Sequence, residues 1–280
     1  MALKLCIAGA SGRMGQALIE AALSTSDLEI TSALDMTGNP FVGHDAAERF
    51  GRVTGALVQT DVEAAVRAAD VLIDFTRPAG TMAHVAACAR HRVAAVIGTT
   101  GLDSEHQRAL AKHAATIPIV YAPNMSVGVN VLFELVESAA RALGPAYDIE
   151  IIEMHHKHKV DAPSGTAIQL GKAAAAGRRL NFDSSAVYSR EGNVGPRRSD
   201  AIGFATLRGG DVVGEHTVVF AGTGERVELT HRAMSRQNFA AGALRAARFI
   251  ADKRRSGANG LFDMRSVLGL TSSSAPRSSP

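Results

Sequence analysis

The sequence predicts an α/β protein: a Rossmann-type, doubly wound parallel sheet, followed by an α+β domain with a mixed sheet. Three observations predict it. Short aliphatic runs alternate with Ala- and Leu-rich helical stretches through residue 125. A glycine-rich turn follows the first of these runs. Beyond residue 200, strand-like runs succeed one another with only glycine turns between them. Strands buried on both faces and separated by helices signal a parallel sheet, whereas strand after strand signals antiparallel pairing. The chain has 280 residues, which suits about two domains of ~150 residues each.

In chain order, Leu3–Ala8 is a continuous apolar run of strand length, and Met14–Leu23 carries apolar residues at helical spacing. Further strand runs are Glu29–Leu34, Val71–Phe75, Ala94–Ile97 and Ile119–Tyr121, with helices predicted around Thr81–Arg90 and Ser104–Ala115. The pattern changes near residue 125. A helix over Val127–Ala142, a strand over Asp148–Met154 and a helix over Gly165–Ala176 lead into a polar stretch, Gly177–Asp200, that reads as a long loop. Ile202–Leu207, Val212–Phe220 and Arg226–Thr230 then alternate like strands, and Arg236–Arg254 is a final amphipathic helix. Thr271–Pro280 is Ser- and Pro-rich without periodicity and reads as a disordered tail.

Composition narrows the function. Lys and Arg number 30 against 27 Asp and Glu, a formal charge of +3, and the basic residues are scattered, so no nucleic-acid surface is expected. Aromatic residues make up 5% with no Trp, which disfavours base-stacking platforms. The two cysteines, Cys6 and Cys88, lie in apolar segments, pointing to a reducing compartment and away from disulfides or structural zinc. No apolar run approaches the ~20 residues of a membrane span, and Leu3–Ala8 is too short for a signal peptide. The chain reads as soluble and cytoplasmic, with no membrane partner.

Gly9-Ala10-Ser11-Gly12-Arg13-Met14-Gly15 leaves the first strand and opens the first helix. Glycines there allow a tight turn and close approach of backbone N–H groups to a pyrophosphate, while the helix start adds partial positive charge. The spacing is GxxGxxG, and what strengthens it is Asp35, 20 residues after Gly15 at the end of the second strand run. A carboxylate there accepts ribose hydroxyls and repels the 2′-phosphate of NADP. Met36, not a cation, follows, so NAD is expected to serve at least as well as NADP. Arg13 is within reach of the pyrophosphate or adenosine. Gly98-Thr99-Thr100-Gly101, Ala122-Pro123-Asn124-Met125 and Phe75-Thr76-Arg77-Pro78 sit at other strand carboxyl ends, where open α/β sheets place ligands. A glycine-rich turn that binds nothing is the competing reading.

Glu153-Met-His155-His156-Lys157-His158-Lys159-Val-Asp-Ala-Pro-Ser164-Gly165-Thr166-Ala167 is the most unusual stretch, with three of the ten histidines in four positions. A solvated basic loop is the bland account. Metal is disfavoured, because no HExxH pattern or nearby cysteine is present and adjacent histidines at a strand end point opposite ways. The third account is an anionic-substrate site. Ser164 caps a helix whose Gly165 and Thr166 N–H groups receive a carboxylate. His156 and Lys159 add charge-assisted hydrogen bonds. Histidine and lysine also offer protons, with reference pKa values near 6.5 and 10.4, and neighbouring cations would make the lysine a better acid.

These motifs together carry a resemblance. Gly9–Gly15, Asp74-Phe-Thr-Arg-Pro78, Gly98–Gly101, Asn124-Met-Ser-Val-Gly-Val-Asn130, Glu153–Ala167, Thr206-Leu-Arg-Gly-Gly-Asp211 and Gly214-Glu-His216 resemble, in order, the dihydrodipicolinate reductase family. These are 4-hydroxy-tetrahydrodipicolinate reductases of the diaminopimelate route to lysine. The resemblance implies a dinucleotide-binding domain over 1–125 plus 236–270 and a domain over 126–235 that binds a small dicarboxylate and forms a homotetramer. It implies NADH or NADPH as cofactor, held by Gly9, Ala10, Ser11, Gly12, Arg13, Met14, Asp35, Gly98, Thr99, Thr100, Ala122, Pro123, Asn124 and Met125. It makes His155 the acid/base catalyst, Lys159 the proton donor, and His156, Gly165 and Thr166 the substrate-carboxylate ligands, with no metal. Relatives often carry Arg where this chain has Met36. Two other readings stay open: another Rossmann oxidoreductase acting on a semialdehyde, and a non-catalytic NAD(H) sensor.

Overall fold

Leu3–Ala8 forms β1, and its successive residues face two different apolar layers. Leu5 and Ile7 join one layer, Cys6 and Ala8 the other, as the period-2 geometry of a strand requires. The structure, a computed structural model, describes residues 1–270; the tail expected over 271–280 lies outside the described residues. The chain divides into two compact units, Met1–Val127 with Gln237 onward, and Gly128–Arg236.

In the first unit β1 leads through α1 (Arg13–Leu23), β2 (Leu28–Leu34), β3 (Val58–Gln59), α2 (Val62–Arg67), β4 (Val71–Asp74), α3 (Pro78–His91), β5 (Ala94–Ile97) and α4 (Ser104–His113) to β6 (Pro118–Tyr121). The sheet order is β12-β6-β5-β4-β1-β2-β3, where β12 is Gly260–Phe262. Every pairing in it is parallel. Helix α8 (Gln237–Arg255) packs beside α1 on the layer of Leu5, Ile7, Ile73 and Val96, and α9 (Met264–Leu268) follows. On the opposite layer, Cys6, Leu72, Ile97 and Ile119 meet α2, α3 and α4. Leu5, Ile7, Leu72, Ile73 and Ile97 are all fully buried. At ~1.5–3 kcal/mol for each such side chain, these two layers are the main source of cohesion in the unit.

The second unit opens with α5 (Val127–Leu143), whose first residue closes the first unit, then β7 (Asp148–His155), α6 (Gly165–Arg178), α7 (Phe182–Ser185), β8 (Ala186–Val187), β9 (Ile202–Arg208), β10 (Gly214–Ala221) and β11 (Arg226–Ala233). Its sheet runs β11-β10-β7-β9-β8. The β7–β9 and β9–β8 pairs are parallel and the β7–β10 and β10–β11 pairs antiparallel, so the sheet is mixed. Leu132 and Val136 of α5 and Ala167, Leu170 and Ala174 of α6 cover Ile149, Ile151, Ile202, Phe204, Val218 and Phe220.

The structure adds elements that the sequence pattern did not announce. β3 and β12 have two and three residues, too few for any periodicity, and exist through parallel pairing with β2 and β6. α2 is a six-residue helix started by Asp61, whose side chain accepts from Ala64 N–H. Gly177–Asp200 is not loop throughout. Asn181 caps α7 by accepting from Ser184 N–H, and β8 pairs with β9 at Ala186–Ile202. The rest is tied down by arginines. Arg190 donates two hydrogen bonds to the Glu150 carboxylate, and Arg197 reaches Asp148, Glu150 and three backbone carbonyls.

Candidate active site

In the first unit, the sequence-flagged segments come together at the carboxyl end of the parallel sheet. Backbone bonds lace the strand ends side by side: Ala10 N–H to Leu34 O, Asp35 N–H to Gln59 O, Gly98 N–H to Asp74 O and Ala122 N–H to Ile97 O. Gly9 has φ +69°, the left-handed region that glycine adopts without penalty. A Cβ at Gly15 would overlap the Gly9 carbonyl and Ala10, so only glycine lets α1 start this close to the turn. α1 begins at Gly12 with no side-chain cap and no acid in its first turn, whereas α2, α4 and α9 are each capped by an aspartate. An uncapped helix start behind a glycine turn leaves its N–H groups and partial positive charge for an anion.

Asp35 stands over this turn. Its Oδ2 accepts from Ser11 N–H at 2.8 Å and Ser11 Oγ–H at 2.6 Å, and its Oδ1 from Met36 N–H and from Asn39 Nδ2. Asn39 also donates to Ser11 Oγ. The acid that follows the second strand is therefore locked to the glycine turn, 24 residues away in sequence. Arg13, Thr100 and Pro123 are exposed, Ser11, Met14 and Asn124 half-buried, and Gly98, Thr99 and Ala122 buried. Met125 is fully buried, with its backbone carbonyl against Gly242 of α8. The glycine cradle and the acid fit a dinucleotide: the turn would take the pyrophosphate and Asp35 would offer acceptors to a ribose.

Beside this edge lies a group that the sequence reading quoted without assigning a role. Asp74, 0% exposed at the end of β4, accepts from Thr76 N–H at 2.7 Å and pairs with His84 Nδ1 at 2.8 Å. Thr81 and Thr99 hydroxyls bond each other at 2.7 Å next to it. An acid closing an otherwise apolar run, Val71–Ile73, was the available signal.

In the second unit, the strand period builds the site. On β7, Ile149 and Ile151 point into the apolar core, and Glu153 and His155, further along the same face, continue the row towards the start of α6. Glu153 is 1% and His155 8% exposed. Glu153 Oε2 pairs with His155 Nδ1 at 2.6 Å and accepts from Arg208 at 2.8 Å, while Oε1 accepts from Arg208 at 2.9 Å and Ser164 N–H at 3.0 Å. Burial alone would raise the pKa of Glu153. The hydrogen bonds from His155, Arg208 and Ser164 override it and bring the carboxyl down to about 2.

Ser164 is the N-cap of α6, its Oγ accepting from Ala167 N–H and bonding His216 Nε2 at 3.0 Å. Burial, with the neighbouring His155, pushes His216 down to about 3, so it is a neutral ring set edge-on to His155 at 5.1 Å. Gly165 and Thr166 form the first turn of α6, exposed and half-buried respectively. The connection between β9 and β10 pins the histidine-rich loop: Gly209 N–H bonds His155 O, Lys157 N–H bonds Gly210 O and His156 N–H bonds Val212 O. Lys159 donates to Asp161 at 2.7 Å, so a carboxylate stands at the ammonium where the sequence suggested only cations. His156 is half-buried on the loop, and His158 is exposed.

Sequence reasoning singled out His155, Lys159 and the start of α6 but gave no role to Glu153, Arg208 or His216. Glu153 had a local signal, an acid two residues before a histidine on one strand face. Arg208 and His216 had none, lying 55 and 52 residues from the partners they bond. Among the described residues no group of three or more His, Cys, Asp or Glu side chains could hold a metal ion, and no helix is long and apolar enough to cross a membrane. Cys6 and Cys88 are fully buried, and burial raises the Cys6 thiol to about 12 and Cys88 well above its ordinary value. Neither offers a thiolate nucleophile.

Fold and site together define a class: a nucleotide-binding Rossmann unit coupled to an α+β unit that carries a buried acid–base cluster, the organisation of an NAD(P)H-dependent oxidoreductase. Comparison with known proteins makes it specific. Residues 3–125 match the family "Dihydrodipicolinate reductase, N-terminus" and residues 128–268 "Dihydrodipicolinate reductase, C-terminus". The chain is 55% identical over 268 residues, 96% of its length and 100% of the relative's, to the 4-hydroxy-tetrahydrodipicolinate reductase of Cupriavidus necator. It is 51% identical over 96% of its length and 98% of the relative's to that of Nitrosomonas europaea. Among solved structures it is similar to dipicolinate-bound dihydrodipicolinate reductase from Paenisporosarcina sp. TG-14, with TM-score 0.73 and 25% identity over 95% of this chain and 99% of that one. The chain belongs to the dihydrodipicolinate reductase family.

Proposed function

We infer that the chain catalyses the NAD(P)H-dependent reduction of 4-hydroxy-tetrahydrodipicolinate to tetrahydrodipicolinate, a step of the diaminopimelate route to lysine. The observation that carries this is the acid–base cluster at the start of α6, on a chain that matches both halves of the reductase family nearly end to end. When bound, the dinucleotide supplies a hydride. Gly9–Met14, Gly98–Thr100 and Ala122–Met125 hold it, and Asp35 takes its ribose hydroxyls. Asp35 and the exposed, uncharged Met36 favour NADH, since a 2′-phosphate would meet a carboxylate with no cation directly beside it.

The protein's own residues bind the dicarboxylate and deliver the proton. Gly165 and Thr166 N–H groups receive a carboxylate, aided by the dipole of the 14-residue α6, and His156 adds a charge-assisted hydrogen bond. His155 acts as acid/base through its imidazole, and Lys159 donates the proton that accompanies reduction. That one relative was solved with dipicolinate bound supports a planar ring with two carboxylates as the ligand.

The chain works in the cytoplasm as a homotetramer assembled through the open face of the second sheet. That face carries Ile152 and Met154 of β7, Ala205 and Leu207 of β9 and Val219 of β10, with Ile152 41% and Leu207 45% exposed. The same face also carries Glu150, Glu215 and, on β11, Glu228 and Arg232, so the apolar side chains form a patch bordered by charge, the pattern of a subunit interface. The decisive experiment measures NADH and NADPH oxidation with the cyclic dicarboxylate and, in parallel, with a panel of semialdehydes. Turnover only on the dicarboxylate is expected. Turnover on a semialdehyde alone would favour another reductase, and NADH binding with no turnover would favour a sensor. A hundred-fold or greater advantage of NADPH would overturn the role given to Asp35.

A further inference from the structure

We propose that Glu153 is the positioning residue of this reaction: its carboxylate sets which nitrogen of His155 exchanges the proton and fastens that imidazole to the start of α6. The inference rests on the reading of His155 as the acid/base group. A carboxylate only accepts, so its 2.6 Å bond to His155 makes Nδ1 the N–H nitrogen and leaves Nε2 for proton exchange. Nε2 faces Gly214 of β10, where a Cβ would stand 2.9 Å away. The glycine keeps that nitrogen uncovered.

The same carboxylate is saturated by three elements at once. Its two oxygens receive His155 of β7, two N–H groups of Arg208 of β9, and the Ser164 N–H that begins α6. Arg208 continues to the Asp161 carbonyl at 2.6 Å and so braces the loop that carries Lys159. The spacing between the proton-exchanging imidazole and the carboxylate-receiving helix start is therefore held by one buried anion. The charged and titratable groups that meet His155 are Glu153 on its own strand, Arg208 opposite it on β9 and His216 on β10, and His216 in turn feels His231 of β11 and Lys159 of the loop.

The test compares Glu153→Gln with His155→Ala in the full chain. In Glu153→Gln, kcat is expected to fall about 10- to 100-fold and KM for the dicarboxylate to rise, because the imidazole loses the acceptor that fixes its tautomer and the start of α6 loses its anchor. Affinity for NADH, bound by the other unit, is expected to stay unchanged. Glu153→Asp keeps the charge and is expected to recover part of the lost kcat. Wild-type kcat and KM in Glu153→Gln, with His155→Ala inactive, would overturn the proposal. Wild-type activity in His155→Ala would instead remove the underlying reading. The wild-type chain gives a test that needs no folded Glu153 variant. With 15N-labelled histidine at alkaline pH, the signal lost in His155→Ala should report a protonated Nδ1 and a bare Nε2. The reverse tautomer overturns the proposal without any Glu153 variant.

Discussion

The two units build their sites from different materials. In the first, the candidate site is largely main chain: a glycine turn, an uncapped helix start and strand-end amides, with Asp35 as the side chain bonded to the turn. In the second, it is side-chain ionisation: a buried carboxylate and two buried histidines packed on one face of a mixed sheet with a half-buried arginine. A main-chain site tolerates many side chains but few changes of backbone. An ionic site depends on each partner, because removing one leaves a buried charge or polar group uncompensated.

The largest expected effect separates the two. His155→Ala and Lys159→Ala should each lower kcat by about 10²–10⁴, the usual range for one acid/base group, with NADH affinity unchanged by titration calorimetry. Loss of both together would erase the contrast.

The next effect is on stability against pH. Glu153 titrates at about 2 in the folded chain against an ordinary 4.5, so its contribution is full above 4.5 and fades as pH falls towards 2. His216 titrates at about 3 against an ordinary 6.5, so its contribution is full above 6.5 and fades as pH falls towards 3. Each is worth on the order of 3–5 kcal/mol across its window. Denaturant unfolding followed by circular dichroism should show stability dropping from pH 6.5 downward, and His216→Asn should flatten the upper part of that drop. An unchanged slope in the variant would mean that the buried histidine is not the source.

A smaller effect sharpens the description of the first unit. Asp35→Ala should shift the NADH-to-NADPH preference by roughly ten- to a hundred-fold towards NADPH, the worth of one charged hydrogen bond. Kinetics with both cofactors would measure it, and an unmoved ratio would leave the discrimination to the turn. The smallest change concerns the helix start. Thr166→Val should raise KM for the dicarboxylate by about tenfold or less while lowering kcat less. An unaltered KM would mean that the Thr166 hydroxyl adds nothing to the backbone N–H groups at the helix start.

The apolar periods made most of the first unit legible. β1 and β5 have the bounds that their runs predict, and β2, β4 and β6 differ by one residue at an end. Such strands are buried on both faces and show as unbroken aliphatic runs. Edge strands β3 and β12 escaped because two or three residues carry no period. Gly177–Asp200 reads as a long loop, yet holds α7 and β8, because these are stabilised by an Asn181 cap and by pairing with β9, which no composition window registers. Of the site, the contiguous parts were readable: the glycines, Asp35, and the stretch from His155 to Thr166. Ser11 reaching Asp35, Asp74 holding His84, and Arg208 and His216 closing on Glu153 and Ser164 were not, because each joins residues brought together by chain reversals.

Sequence alone determined the glycine turn with its acidic follower, the parallel sheet behind them and the unusual histidine–lysine loop, because backbone sterics and side-chain period act over a few residues. Only the tertiary structure decided which carboxylate bonds Nδ1 of His155 and which arginine and serine share that carboxylate. Register across β7, β9 and β10 aligns residues more than fifty positions apart, and a buried charge is stable only where its partners converge.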